Sequence, residues 1–134
     1  MSIQSRICYT VPADIQTVWR TVTSLTDYAW RSGLAKIERL DDTQFVEHTQ
    51  SGAATLFRVT QTQPPHLWAF DMENDYFSGH WTGRFTALDN NRTELDFAED
   101  ITLKKRLPRW LVRFYLYRQQ QRYRRDLCRQ LQNV

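Results

Sequence analysis

Between residues 35 and 103 the chain is cut at regular intervals by turn-forming pairs: Asp41-Asp42, Ser51-Gly52, Pro64-Pro65, Asn74-Asp75 and Asn90-Asn91. Each residue type favours a turn for its own reason. Glycine is free to turn, proline fixes φ, and Asp, Asn and Ser bond their own backbone. Six strands fit between these breaks. Every break leaves room only for a tight connection, so consecutive strands are expected to pair antiparallel in a meander.

The flanks read differently. Ile3 to Val11 alternates, with Ile7, Tyr9 and Val11 on one side and Cys8 and Thr10 on the other, until Pro12 ends the strand. From Asp14, a suitable N-cap, Ile15, Val18, Trp19 and Val22 recur at the spacing of a short amphipathic helix. A second short helix is expected from Ser24 or Thr26, holding Tyr28 and Trp30 and stopped by Gly33. After Leu107-Pro108 one helix of about 25 residues should run to the end of the chain, with the proline in its first turn.

A sheet with one apolar face needs a cover, and the terminal helix is the only element long enough to supply it. Strand alternation turns Phe45, Glu47, Thr49, Thr55, Phe57 and Val59 inward, then Trp68, Phe70 and Met72. Phe77, Gly79, Trp81 and Phe85 follow, and lastly Leu95, Phe97, Glu99 and Ile101. Two carboxylates stand among apolar side chains.

Charge is segregated along the chain. Lys104 to Val134 hold ten Lys and Arg against the single acid Asp126, whereas the first 103 residues carry eight bases and fourteen acids. Such segregation speaks about partners more than about fold. At 134 residues the chain is expected to form one domain, residues 1–134, around one core. Neither a secretory leader nor an apolar run of membrane-spanning length is visible, so a cytoplasmic location is expected. Cys8 and Cys128, at opposite ends of the chain, are expected to be reduced, partly buried thiols.

Several chemistries find no support. His48, His66 and His80 fall on separate expected strands, with His48 and His80 pointing outward, so no metal site is expected. Ser78 and His80 share a strand face but have no nucleophile elbow. Gly52, Gly79 and Gly83 do not make a phosphate loop, and no cofactor is expected.

The runs "ICYTVPADIQTVW" (Ile7 to Trp19), "TDYAWR" (Thr26 to Arg31), "SGHWTGRF" and "TELDFAE" (Thr93 to Glu99) resemble the START-like helix-grip superfamily (SRPBCC), in particular its polyketide cyclase/dehydrase and lipid-transport group. The resemblance covers nearly the whole chain. It implies an α+β fold in which a curved seven-stranded antiparallel sheet wraps around the long C-terminal helix, with two short helices between strands 1 and 2. It also implies a deep cavity between sheet and helix, and it brings no shared catalytic motif. Fold alone does not decide the chemistry.

In such a cavity Phe57, Trp68, Phe70, Met72, Trp81 and Phe97 would form an aromatic wall suited to a planar or lipid-like ligand, or else plain core packing. Glu47, Glu99 and Tyr123 are the polar groups that would orient the ligand. A carboxylate facing a cavity must be paired, hydrogen-bonded or partly protonated, which makes Glu47 and Glu99 the candidates for acid/base work. The alternative is that they reach water, or that Arg109 or Arg113 neutralises them.

On the terminal helix Leu116, Gln120, Tyr123, Leu127 and Leu131 share the face that should grip the sheet, while Arg118, Arg122, Arg125 and Arg129 form an outer stripe. Trp110, Phe114 and Tyr117 form a third face near Lys104, Lys105, Arg106 and Arg109. That cluster suits packing on a loop, a homodimer contact or an anionic membrane surface; nucleic acid is disfavoured because no binding motif accompanies it. The reading favoured here is non-catalytic binding of a lipid, quinone or polyketide-like molecule. A cyclase or dehydratase and a membrane-docking lipid carrier are the alternatives.

Overall fold

The computed structural model describes residues 2–132. Its elements are β1 (Ser2–Val11), α1 (Ile15–Thr23), β2 (Leu34–Arg39), β3 (Gln44–Thr49), β4 (Ala54–Gln63), β5 (Leu67–Glu73), β6 (Phe77–Leu88), β7 (Arg92–Leu103) and α2 (Arg109–Gln132). The strands form one antiparallel sheet in the order β1-β7-β6-β5-β4-β3-β2. The six-stranded meander is therefore continuous, and β1 closes it by pairing with the last strand.

Each expected turn lies between strands. Asn90 and Asn91 both take positive φ, 63° and 54°, in the three-residue connection between paired Leu88 and Arg92, a conformation that asparagine tolerates better than most residues. Gly52 sits at φ 93°, a conformation that side chains with a Cβ rarely adopt. The alternation of β1 also holds, with Ile3, Tyr9 and Val11 buried.

Asp14 caps α1 by accepting from the Thr17 backbone N–H at 3.2 Å and from the Thr17 hydroxyl at 2.6 Å. The helix buries Val18 and Val22 and sets Trp19 edge-on to Phe85 at 5.2 Å. The second short helix is not formed. Residues 24–33 make turns, in which the Ser24 hydroxyl accepts from the Asp27 N–H at 2.9 Å and Arg31 N–H donates to the Tyr28 carbonyl. A serine hydroxyl that bonds backbone locally competes with helix, and here it prevails. Among the described residues there are thus two helices, not three.

Pro108 stands just before α2, its carbonyl accepting from Val112 N–H at 3.2 Å, so it acts as the cap residue and not as part of the first turn. The expected helix end at Asn133 and Val134 lies outside the described residues. Val112, Leu116, Leu127 and Leu131 are the buried apolar residues of α2. The helix approaches the sheet backbone most closely along β1 and also reaches β7, where Gln120 bonds Glu99. No helix is long and apolar enough to cross a membrane.

Candidate functional site

The inward face of the sheet is built of cross-strand rows. Phe57 on β4 lies opposite Met72 on β5, which lies opposite Gly79 on β6. The adjacent row runs Val59, Phe70, Trp81, Glu99 and Ser5 from β4 to β1. The row beyond it runs Trp68, Gly83, Phe97 and Ile7. All six residues of the expected aromatic wall face inward and meet. Phe70 stacks on Trp81 at 4.7 Å and 9°, Trp81 tilts against Phe97 at 4.9 Å, and Phe57 and Trp68 present edges to Phe70 at 5.0 and 5.3 Å.

Gly83 makes that packing possible: a Cβ there would stand 2.3 Å from Cη2 of Trp81, so the indole lies over the bare backbone. Phe57, Trp68, Phe70, Met72 and Phe97 are buried, and Trp81 keeps partial exposure although it faces inward. The sequence left open whether these residues form a ligand wall or a packed core. They do pack on one another, and the exposed part of Trp81 is the surface still free to meet a ligand.

Glu99 is the most unusual polar group on this face. The Gln120 amide of α2 donates to its Oε1 at 3.3 Å and lies 2.6 Å from the Ser5 hydroxyl. Burial pushes the Glu99 carboxyl above the ordinary carboxylate range, with the Gln120 bond acting in the other direction. No cation meets Glu99 among the ion pairs of the described residues.

Glu47 is held differently. Arg31 grips both of its oxygens, at 2.8 and 3.0 Å, with both side chains largely shielded from solvent. Arg109 and Arg113 were one alternative for neutralising it, beside access to water, and the partner is instead Arg31. Arg109 is exposed, and Arg113 instead donates to the Gln4 carbonyl at 3.5 Å. The reason is topological. The turns of residues 24–33 fold back toward α2, where buried Asp126 accepts from both the backbone N–H and the hydroxyl of Ser32, at 2.9 and 2.8 Å. Arg31 is thereby delivered to Glu47 and lies 5.5 Å from the centre of the Tyr123 ring.

Tyr123 joins these parts. Its ring is edge-on to Trp30 at 5.3 Å and to Phe97 at 6.2 Å, and burial pushes its hydroxyl up to about 12. Nearby on β1, the hydroxyl of buried Tyr9 has no hydrogen-bond partner among the described residues. Burial raises that hydroxyl too.

Arg31, Ser32, Asp126, Gln120 and Ser5 complete the polar interior and were not singled out as site residues. A signal existed for Asp126: a lone acid among ten bases has a reason to be retained. Arg31 closes the run "TDYAWR", but nothing in that run says that it reaches residue 47.

The remaining candidates lie elsewhere. His48 pairs with Glu38 at 3.2 Å and His80 with Asp71 at 2.7 Å, whereas His66 stands in the connection before β5 and not on a strand. Ser78 makes no hydrogen bond to His80 among the described residues. On the outer face Arg58, Asp71, His80 and Asp100 form a polar cross-strand row, beside a concavity of about 410 Å³. Apart from Met72, that concavity includes none of the aromatic wall. Both cysteines are free. Cys8 is exposed, not partly buried, because even positions of β1 face outward, where its thiol donates to Asp96 at 3.4 Å.

The sequence matches the model of the polyketide cyclase/dehydrase and lipid transport family over residues 3–133. The chain belongs to that family. Its fold is the START-like helix grip: a START superfamily protein from Mycobacterium smegmatis is 14% identical, with 97% of each chain covered and a TM-score of 0.86. An aromatase/cyclase, Zhui, from a Streptomyces species is 15% identical, covering 98% of this chain and 94% of its own, also at 0.86. A conserved protein from Geobacillus kaustophilus is 10% identical, covering 98% and 96%, again at 0.86. At such identities the likeness is one of fold. No curated protein matches the sequence significantly.

Proposed function

We propose that this member of the family binds a hydrophobic small molecule, a lipid, quinone or polyketide-like compound, between α2 and strands β4–β7, and does no chemistry on it. One observation carries the reading. Trp81 and Glu99 on the inward face of the sheet, and Tyr123 on α2, keep partial exposure among otherwise buried neighbours. A ligand would lay an apolar face on Trp81 and turn a hydroxyl or carbonyl toward Glu99 and Tyr123, the division of labour usual in small-molecule sites.

Native mass spectrometry of protein purified from its own host tests this. The expected result is an added mass released on denaturation and absent from Trp81→Ala. Wild type at its bare mass that also fails to brighten an apolar fluorescent dye would overturn the reading.

A second reading rests on Glu99. A carboxyl whose pKa is raised by burial is suited to general acid work, as a cyclase or dehydratase would need. With the co-purified compound as substrate, Glu99→Gln would then abolish turnover while leaving affinity nearly intact. Binding without turnover by wild type would return the assignment to a carrier.

A further inference from the structure

The first half of α2 is apolar on both sides: Val112 and Leu116 are buried, and large apolar groups also face solvent. Its side away from the sheet is aromatic: Trp110 is 70% exposed, Tyr117 58% and Phe114 54%. Leu107 and Leu111, at 38% and 41%, extend the apolar surface. In the second half the same side is polar, with Arg118, Arg122, Arg125 and Arg129 all exposed. A folded chain does not leave so many large apolar groups together in water without a use for them.

Cations surround this patch. Lys105 and Arg106 precede the helix and Arg109 and Arg113 lie on it; Lys104 is paired with Glu73 at 2.8 Å, and the one acid of α2, Asp126, is buried far along the helix against Ser32. Lys105 already leans over the ring of Tyr76, at 4.4 Å, and Arg118 over Phe114, at 5.8 Å. Aromatic and aliphatic groups thus point outward between cations that no nearby carboxylate on α2 neutralises.

We propose that this face docks on an anionic lipid bilayer, with the first half of α2 lying in the interface, Trp110 and Phe114 inserted, and Lys105, Arg106 and Arg109 set against lipid phosphates. Trp and Tyr prefer the headgroup region, and each basic side chain near an anionic surface contributes about 1 kcal/mol. Two other occupants fit less well. A second copy would bring the same cations face to face, which like-charge repulsion disfavours. Single-stranded nucleic acid would use the rings and cations, but Leu107 and Leu111 offer bases nothing, whereas acyl chains accept them. The proposal does not depend on whether a ligand occupies the interior.

The test is co-sedimentation of the full chain with vesicles of phosphatidylcholine and phosphatidylserine, and with vesicles of phosphatidylcholine alone. Wild type should bind the mixed vesicles and lose affinity as salt is raised. Replacing Lys105, Arg106 and Arg109 with Gln should weaken binding about a hundredfold. Trp110→Ser with Phe114→Ser, both at exposed positions, should also weaken it, and brominated acyl chains should quench wild-type fluorescence but hardly that of this variant. Failure of wild type to bind mixed vesicles overturns the proposal, and so does binding that ignores the loss of Trp110 and Phe114. So too does tighter binding to a single-stranded oligonucleotide than to vesicles, or a solution dimer dissolved by Trp110→Ser.

Discussion

Beneath α1 the interior is sealed: Val11, Val18, Thr93 and Leu95 are inaccessible to solvent, Phe85 nearly so, and the hydroxyl of buried Thr93 donates to the Ala13 carbonyl at 2.8 Å. Toward the middle of α2 the sheet carries Glu99 without a cation, Glu47 clasped by Arg31, and Trp81 partly exposed. The same sheet thus serves two purposes. Stability comes cheapest from apolar packing with every polar atom satisfied, and the closed end has that composition. The polar end accepts desolvation that folding does not require, which is why we propose it as the site.

The contrast is broken most directly at the closed end. Phe85→Ala should cost about 3–5 kcal/mol in urea unfolding, since it opens a cavity where Trp19 and Phe97 leave no room to collapse. Trp81→Ala removes a larger side chain yet should cost less, because that ring is already partly exposed. Equal losses would mean that the two ends are packed alike.

Next in size is the clasp. Arg31→Met leaves Glu47 shielded and unpaired and should cost about 2 kcal/mol, less than a fully buried pair because both side chains keep some access to water. The double variant with Glu47→Gln should recover much of that loss. Independent, additive losses would show that the pair contributes nothing as a pair.

The closed end was legible in the sequence and the polar end only in part. Alternation in β1 and β7, the Asp14 cap and the turn pairs are local signals, so Tyr9, Val11, Leu95 and Phe97 could be placed without knowing the fold. Glu47 and Glu99 stood out as carboxylates on an apolar face. Their partners did not, because Arg31 and Gln120 lie 16 and 21 residues away from them on elements of different type. The helix expected at residues 24–33 hid Arg31 further, since only the turn geometry, pinned by Asp126, aims it at Glu47.

Glu99 gives the comparison a pH dependence. Its folded pKa lies above its unfolded one, so the folded state holds the proton more tightly, and the stability this confers is complete below the ordinary carboxylate range. That stability is lost as pH rises through the raised value. Glu99→Gln keeps an acceptor for Gln120 and removes the buried charge. It should therefore exceed wild type in stability at neutral pH, with the gap closing on acidification. A gap that widens toward low pH would place a stabilising partner beside the carboxylate.

The smallest effect expected is at Tyr9, where the two kinds of interior meet. Its ring belongs to the closed packing, edge-on to Phe97 at 6.1 Å, with Arg124 5.1 Å above it, but its hydroxyl is buried without a protein partner. An unsatisfied hydroxyl costs free energy that phenylalanine does not, so Tyr9→Phe should be neutral or more stable by about 0.5 kcal/mol in the ligand-free protein. Were the hydroxyl instead a contact for the bound molecule, the same substitution would leave unfolding unchanged and weaken retention of the co-purified mass. A loss of stability without ligand would mean that an ordered water satisfies Tyr9, and would extend the closed end as far as Tyr123.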